Sequence, residues 1–156
     1  MKKPIRQIVP HVLLVNLACT GPTWAQSLTD ETRLQAAHKG IDNDAGERLG
    51  KDKAKALARQ FQLPTKFIDE LQHKKLGWGE MTIQFVMAQH LTKTDLQTYP
   101  SLAEARQRVE ELRIQGKGWG SIAKKLGVKL GPVVSEVCHV RKTLREEGRA
   151  VPFRVP

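Results

Sequence analysis

The sequence predicts an all-α protein: a small orthogonal bundle of about five to six helices with two helix–Gly-Trp-Gly–helix corners. Three observations carry that expectation. From Lys51 onward, apolar residues return every three or four positions, the spacing of one helix face. Gly, Pro and a Ser-x-x-Glu box punctuate these stripes at helical lengths. Finally, Gly77-Trp78-Gly79 and Gly118-Trp119-Gly120 fall at the same point after two similar stripes.

Taken from the N-terminus, Met1, Lys2, Lys3 and Arg6 form a positive start with no acid before Asp30. Val12 to Cys19 is apolar except for Asn16, and Gly21 and Pro22 then interrupt. Thr23-Trp24-Ala25 places small residues at the two positions a signal peptidase reads. That order of regions describes a secretory signal peptide over residues 1–25, with the cut expected between Ala25 and Gln26. The apolar run is too short for a membrane span, which needs roughly 20 residues. No stable span is therefore expected after cleavage, and the mature protein is placed in the periplasm or outside the cell. One competing reading is a chance apolar N-terminus. Another is a lipoprotein box at Asn16-Leu17-Ala18-Cys19, in which Asn16 stands where an aliphatic residue belongs and Leu17 where a small one does.

Removing residues 1–25 takes away Lys2, Lys3 and Arg6 and no acid. It leaves 131 of the 156 residues, with 23 basic against 16 acidic side chains, a net charge of +7 where the whole chain has +10. A chain of that size forms one domain and buries roughly two-thirds of its unfolded surface without staples. Cys138 is then the sole thiol, which excludes a disulfide within the mature chain. Because it lies beside an apolar helical stripe, burial is expected.

Residues 26–50 are polar and read as a mobile segment, with a short helix over Asp30–Lys39 closed by Gly40. Residues 51–148 form the helical repeat domain. Ala54, Leu57, Ala58 and Phe61 carry its first stripe. Pro64 suits the first turn of the next helix, where its missing N–H costs nothing. Phe67, Ile68 and Leu71 continue to a stop at Gly77. Met81, Phe85 and Ala88 define a third helix, although Ile83-Gln84-Phe85-Val86 also has the look of a short strand. After a connector over Thr92–Pro100, Ser101-Leu102-Ala103-Glu104 forms a capping box. It opens a helix marked by Leu102, Ala105, Val109 and Leu112 and ended by Gly116. A short helix over Trp119–Leu126 stops at Gly127. Pro132 opens the last one, whose stripe is Val133, Val137, Val140 and Leu144, with an end at Gly148. Residues 149–156, with two prolines in eight residues, read as a loose tail.

Ile68-Asp69-Glu70-Leu71 aligns with Val109-Glu110-Glu111-Leu112 at a separation of 41 residues, and Gly-Trp-Gly begins six residues beyond each Leu. Gly77 and Gly118 are expected to take the left-handed conformation that ends a helix. Trp78 and Trp119 would bury a large apolar surface in the corner, while Gly79 and Gly120 leave room for close backbone approach. The alternative is an exposed Trp that stacks on a ligand ring.

Ser121 to Val128, followed by Val133 and Val137, resembles a helix-turn-helix: Ala123 lets the helices cross closely, Gly127 turns the chain and the valines pack back. Ala58, Leu63, Ile68 and Leu71 reproduce that spacing, with Gln62 in place of the turn glycine. Residues 51–147 are also similar to exported bacterial proteins, of no established activity, built around Gly-Trp-Gly-x-Ile-Ala and Leu-Gly-x-Lys-Leu-Gly elements. Here those are Gly118 to Ala123 and Leu126 to Gly131. The resemblance implies an architecture and a compartment rather than an activity.

Three classes of function follow. The first is a non-enzymatic exported module that binds an envelope or extracellular protein. The second is non-specific nucleic-acid binding, since residues 116–156 hold nine basic and three acidic residues. Lys124, Lys125 and Lys129 belong to that region, and Lys142, Arg145 and Arg149 recur on the side of the last helix away from the valines. Such charge attracts phosphate through counterion release. Leu130, Gly131, Pro132, Ser135 and Glu136, at the start of that helix, offer little to base edges. The third class, an enzyme, finds no support. His38, His73, His90 and His139 are scattered without metal-ligand spacing. Cys138 and His139 are neighbours that point in different directions on a helix. No cofactor or metal is expected. A membrane-surface role for the basic last helix fits its Val-rich stripe less well than core packing does.

Overall fold

The computed structural model describes residues 23–44 and 50–149. Seven α-helices follow one another, and no strand occurs among the described residues: α1 (Thr23–Asp44), α2 (Gly50–Gln60), α3 (Thr65–His73), α4 (Trp78–Thr94), α5 (Leu102–Ile114), α6 (Trp119–Lys125) and α7 (Leu130–Arg149). The all-α expectation holds, with one helix more than the upper expected number. Residues 1–22, 45–49 and 150–156 lie outside the described residues, and with them most of the expected signal peptide and of the expected C-terminal tail. The expected cut between Ala25 and Gln26 falls in the first turn of α1.

Helix α4 organises the core. Every residue from Met81 to Ala88 is buried, Thr82 and Gln84 included. A helix enclosed on all sides has no polar face to set against its apolar one. That is why Ile83–Val86 resembled a strand in the sequence. Its neighbours are α1, α5 and α7, and α7 in turn packs on α1 and α2. Val133, Val134, Val137, Val140 and Leu144 supply the buried side of α7. Between α4 and α5 lies a buried polar pair, in which Arg106 Nη1 donates to Gln84 Oε1 at 2.8 Å. Arg106 Nη2 donates to Glu110 Oε2 at 2.9 Å. Gln84 Nε2 and Arg106 Nε have no hydrogen-bond partner.

Four links join α2 to α3, α3 to α4, α5 to α6 and α6 to α7, each with four residues between the helices. The second residue of each has a left-handed backbone: Gln62 (φ 55°), Lys75 (φ 61°), Gly116 (φ 75°) and Gly127 (φ 69°). Each link also carries the same two bonds. Leu63 N–H donates to the Ala58 carbonyl, Leu76 to Leu71, Lys117 to Leu112 and Val128 to Ala123, over five residues at 2.8–3.3 Å. The residue before each donates over three. This pairing is the Schellman ending of a helix. It corrects the expected role of Gly77 and Gly118. Both are extended N-caps, with φ near −64° and −68°, and the left-handed residue that closes the preceding helix stands two residues earlier. Pro64 is likewise an N-cap rather than a first-turn residue. Gln62 takes the backbone conformation that Gly127 takes, so the missing glycine does not alter that turn.

The largest departure concerns residues 26–44. Helix α1 runs 22 residues, through Gly40 to Asp44, and Leu34, Ala37 and Ile41 are buried. Fully burying a Leu or Ile side chain is worth roughly 1.5–3 kcal/mol, so α1 is part of the core rather than a loose segment. With three buried hydrophobic residues among those described in a polar stretch, its periodicity is faint. Gly40 does not end the helix: it is buried at a crossing, where an added Cβ would lie 2.3 Å from Arg141 Cζ.

Candidate functional site

Helix α1 carries Asp30 and Glu31 in its first half and Asp42 and Asp44 at its C-terminal end, and three of these acids reach the starts of other helices. An N-cap glycine has no side chain to satisfy the free N–H groups of the first turn. At α4 that work falls to Asp42, whose Oδ1 accepts from Gly79 N–H at 2.9 Å. At α6 it falls to Glu31, whose Oε2 accepts from Gly120 N–H at 2.9 Å. The two acids are 11 residues apart, about three helical turns, so both project from one side of α1. Asp30 approaches the start of α7, with its Oδ2 3.3 Å from where a Cβ on Gly131 would stand. At the other end, Asp44 Oδ2 accepts from Arg141 Nε at 2.9 Å and lies 3.9 Å from Arg145 Nε. The Lys53 ammonium donates to the Asp44 carbonyl. Burial lowers the Lys53 pKa from its ordinary value, and the nearby Asp44 and Asp42 oppose that shift.

Between α1 and the α5–α6 corner these contacts frame a half-open groove of about 280 Å³. Glu31, Gln35, His38, Lys39 and Asp42 line it from α1; Arg113, Gly118 and Trp119 line it from the corner. Trp119 is 2% exposed. The Arg113 guanidinium carbon sits 4.2 Å from the Trp119 ring centroid, a cation–π contact. Arg113 Nη1 donates to the Lys117 carbonyl at 2.8 Å, and its Nε to Glu80 Oε1 at 3.3 Å. His38 Nε2 lies 3.0 Å from Asp42 Oδ2. Glu31 Oε1, the Gln35 amide and the Lys39 ammonium make no hydrogen bond or ion pair among the described residues. Gln35 and Lys39 are exposed.

The basic residues singled out in the sequence do not gather into one patch. Lys124, Lys125 and Lys129 are exposed around the α6–α7 link and form no ion pair among the described residues. Lys142 and Arg145 are also exposed, but about 20 Å further along α7 at 1.5 Å per residue. There Lys142 pairs with Glu146 at 3.9 Å and Arg145 approaches Asp44. Arg149 is the last residue of α7, and its side chain lies outside the described residues. Cys138 is exposed rather than buried, because it falls on the outer stripe with Lys142 and Arg145. It lines an open cavity of about 380 Å³ with Arg141, Lys142, Arg145 and Glu146.

Of the corner residues, Trp119 is buried and Trp78 half-buried. Gly79 serves the expected close approach, since an added Cβ would fall 2.2 Å from His38 Cδ2 and 2.5 Å from the His38 carbonyl oxygen. Sequence reasoning did not single out Glu31, Gln35, Lys39, Asp42 or Arg113. The spacing of 31, 35 and 39 at four-residue steps was the available signal. It had little weight while the segment read as mobile. Among the described residues no helix is long and apolar enough to cross a membrane. Comparison of the chain with protein-family models, with curated proteins and with solved structures finds no match.

Proposed function

We propose that this chain is an exported, non-enzymatic binding module that works in the periplasm or outside the cell. The groove between α1 and the α5–α6 corner carries the reading. Among the described residues it is the place where uncommitted polar groups, Gln35 and Lys39, share a cavity, whose opposite wall is the stacked Arg113–Trp119 pair. Concave sites with a few convergent polar groups are where small ligands and peptide segments bind. Export rests on the charged, apolar and small-residue order of residues 1–25 and on the resemblance to exported Gly-Trp-Gly proteins. The finer architecture belongs to the same proposal: a small orthogonal bundle with two Gly-Trp-Gly corners and helix-turn-helix-like pairs. The four equivalent links support it.

Fractionation of a C-terminally tagged full-length protein, with sequencing of its N-terminus, tests the compartment. A chain that begins at Gln26 in the envelope or medium is expected. A chain that retains Met1 in the cytosol overturns the reading. In-cell crosslinking from probes placed at the groove and on the remaining helix faces then tests the partner, and an envelope or extracellular protein is expected.

A second reading, non-specific nucleic-acid binding, is favoured by the unpaired Lys124, Lys125 and Lys129. Three phosphate contacts imply a salt slope of roughly −2.7 in log K against log salt. Retardation of a random-sequence duplex at low salt supports it, and no retardation eliminates it.

A further inference from the structure

We infer that the groove along α1 binds a short zwitterionic peptide of three or four small residues in extended form. The inference rests on the binding-module reading and names the ligand class for that site. Glu31, Gln35 and Lys39 stand at steps of four along α1, so they form a single row at intervals of about 6 Å. All three line the same cavity. In order they offer a carboxylate oxygen, an amide and an ammonium. A carboxylate oxygen only accepts, an ammonium only donates, and an amide does both. The row therefore complements a ligand with an ammonium at one end, a peptide group in the middle and a carboxylate at the other.

The length selects among such ligands. Glu31 to Lys39 spans about 12 Å along the helix, and an extended chain covers at most about 3.3–3.6 Å per residue. Three to four residues fit. The cavity, about 280 Å³, is just below the usual size of ligand sites, which favours a ligand with small side chains. The other polar groups of the groove are already committed. Asp42 holds Gly79 N–H and His38, and Arg113 holds the Lys117 carbonyl and Glu80 while covering Trp119. Glu31 spends Oε2 on Gly120, and its Oε1 lies beside Gly118, where a Cβ would come within 2.8 Å of it. Glycine at 118 thus keeps that end of the groove open.

Calorimetric titration of the mature chain with trialanine tests the assignment. Saturable binding is expected in the millimolar range. N-acetyl-trialanine amide, with both charges blocked, should bind at least about tenfold more weakly, the scale of one charge-assisted hydrogen bond. The ends are assigned by pairing variants with ligands. Lys39→Ala should weaken trialanine about tenfold but leave trialanine amide unaffected. Glu31→Gln, which keeps an oxygen for Gly120 N–H, should weaken trialanine but leave N-acetyl-trialanine unaffected. Gln35→Ala should weaken all four ligands equally. Lys39 and Gln35 are exposed, so unchanged melting temperatures show that these variants remain folded. Absence of saturable binding, or equal binding of the blocked peptide, overturns the proposal. If crosslinking captures a partner away from the groove while trialanine does not bind, the peptide assignment falls and the binding module stands. If neither is seen, both fall.

Discussion

At the α3–α4 corner the Leu76 carbonyl is held by the Gln72 amide at 3.2 Å. Forty-one residues on, at the α5–α6 corner, the Lys117 carbonyl is held by the Arg113 guanidinium at 2.8 Å. The two side chains occupy equivalent positions and perform the same local task. Gln72 stops there, whereas Arg113 has a second N–H for Glu80 on α4 and a charged plane for Trp119. Trp119 is consequently sealed, while Trp78 keeps part of its surface in solvent. Each corner also takes one carboxylate from α1. Matching motifs therefore produce matching backbones, and the residue six positions before each Trp decides what happens to the ring.

The most disruptive way to break the comparison is to crowd the first corner. Gly79→Ala places a methyl 2.5 Å from the His38 carbonyl oxygen, backbone that moves only if α1 shifts. A loss of about 3 kcal/mol is expected in urea unfolding. Exchanging the support of the second corner comes next. Arg113→Ala should cost about 2 kcal/mol and Gln72→Ala about 0.5–1 kcal/mol, because only the first removes charged hydrogen bonds and the ring cover. Acrylamide quenching should rise for Trp119 in the Arg113 variant and stay unchanged for Trp78.

Removing the caps treats both corners alike. Asp42→Ala and Glu31→Ala should each cost about 1 kcal/mol, the usual worth of an N-terminal cap. Equal losses would show that α1 fastens the corners independently. The left-handed residues differ in the opposite sense. Lys75→Gly relieves strain at φ 61° and should add about 0.5 kcal/mol net of glycine entropy, while Gly116→Ala should remove about 1 kcal/mol.

The smallest effect is a pH term on α4. His90 has a pKa lowered from its ordinary 6.5, chiefly by burial and secondarily by Lys93, with Glu136 opposing. A depressed histidine favours the neutral ring in the fold. Its contribution is therefore fully present above pH 6.5 and declines as pH falls through that value toward the folded pKa. His90→Gln should flatten the stability profile in that window.

Much of the helical pattern was legible, and particular residues show where legibility ended. Gly116 and Gly127 mark their turns, and Ser101 caps α5 by accepting from Glu104 N–H at 3.2 Å. The tetrapeptide Lys-Lys-Leu-Gly shows the limit. It occurs at 74–77 and at 124–127, yet its backbone differs. In the first copy Lys75 is left-handed and Gly77 extended; in the second Gly127 is left-handed. Local preference favours glycine at the turn in both. Asp42 caps Gly79 and helps set where α4 begins, and the first copy's left-handed residue stands two positions nearer the N-terminus of the tetrapeptide. The groove was hidden for a related reason. One wall lies on α1, whose described inward residues are Leu34, Ala37 and Ile41, too few to stand out from a polar background.

By itself the sequence determined the helical class, most helix limits after residue 50, the spacing of the two Gly-Trp-Gly segments and the positive charge. These depend on contacts within a few residues of each other, where spacing is enough. Only the tertiary structure decided that α1 belongs to the core, that its acids serve both corners, that Cys138 faces solvent and that the basic residues divide into two groups. Those outcomes depend on which helix lies against which, and pairings over 30 to 90 residues leave no periodic trace along the chain.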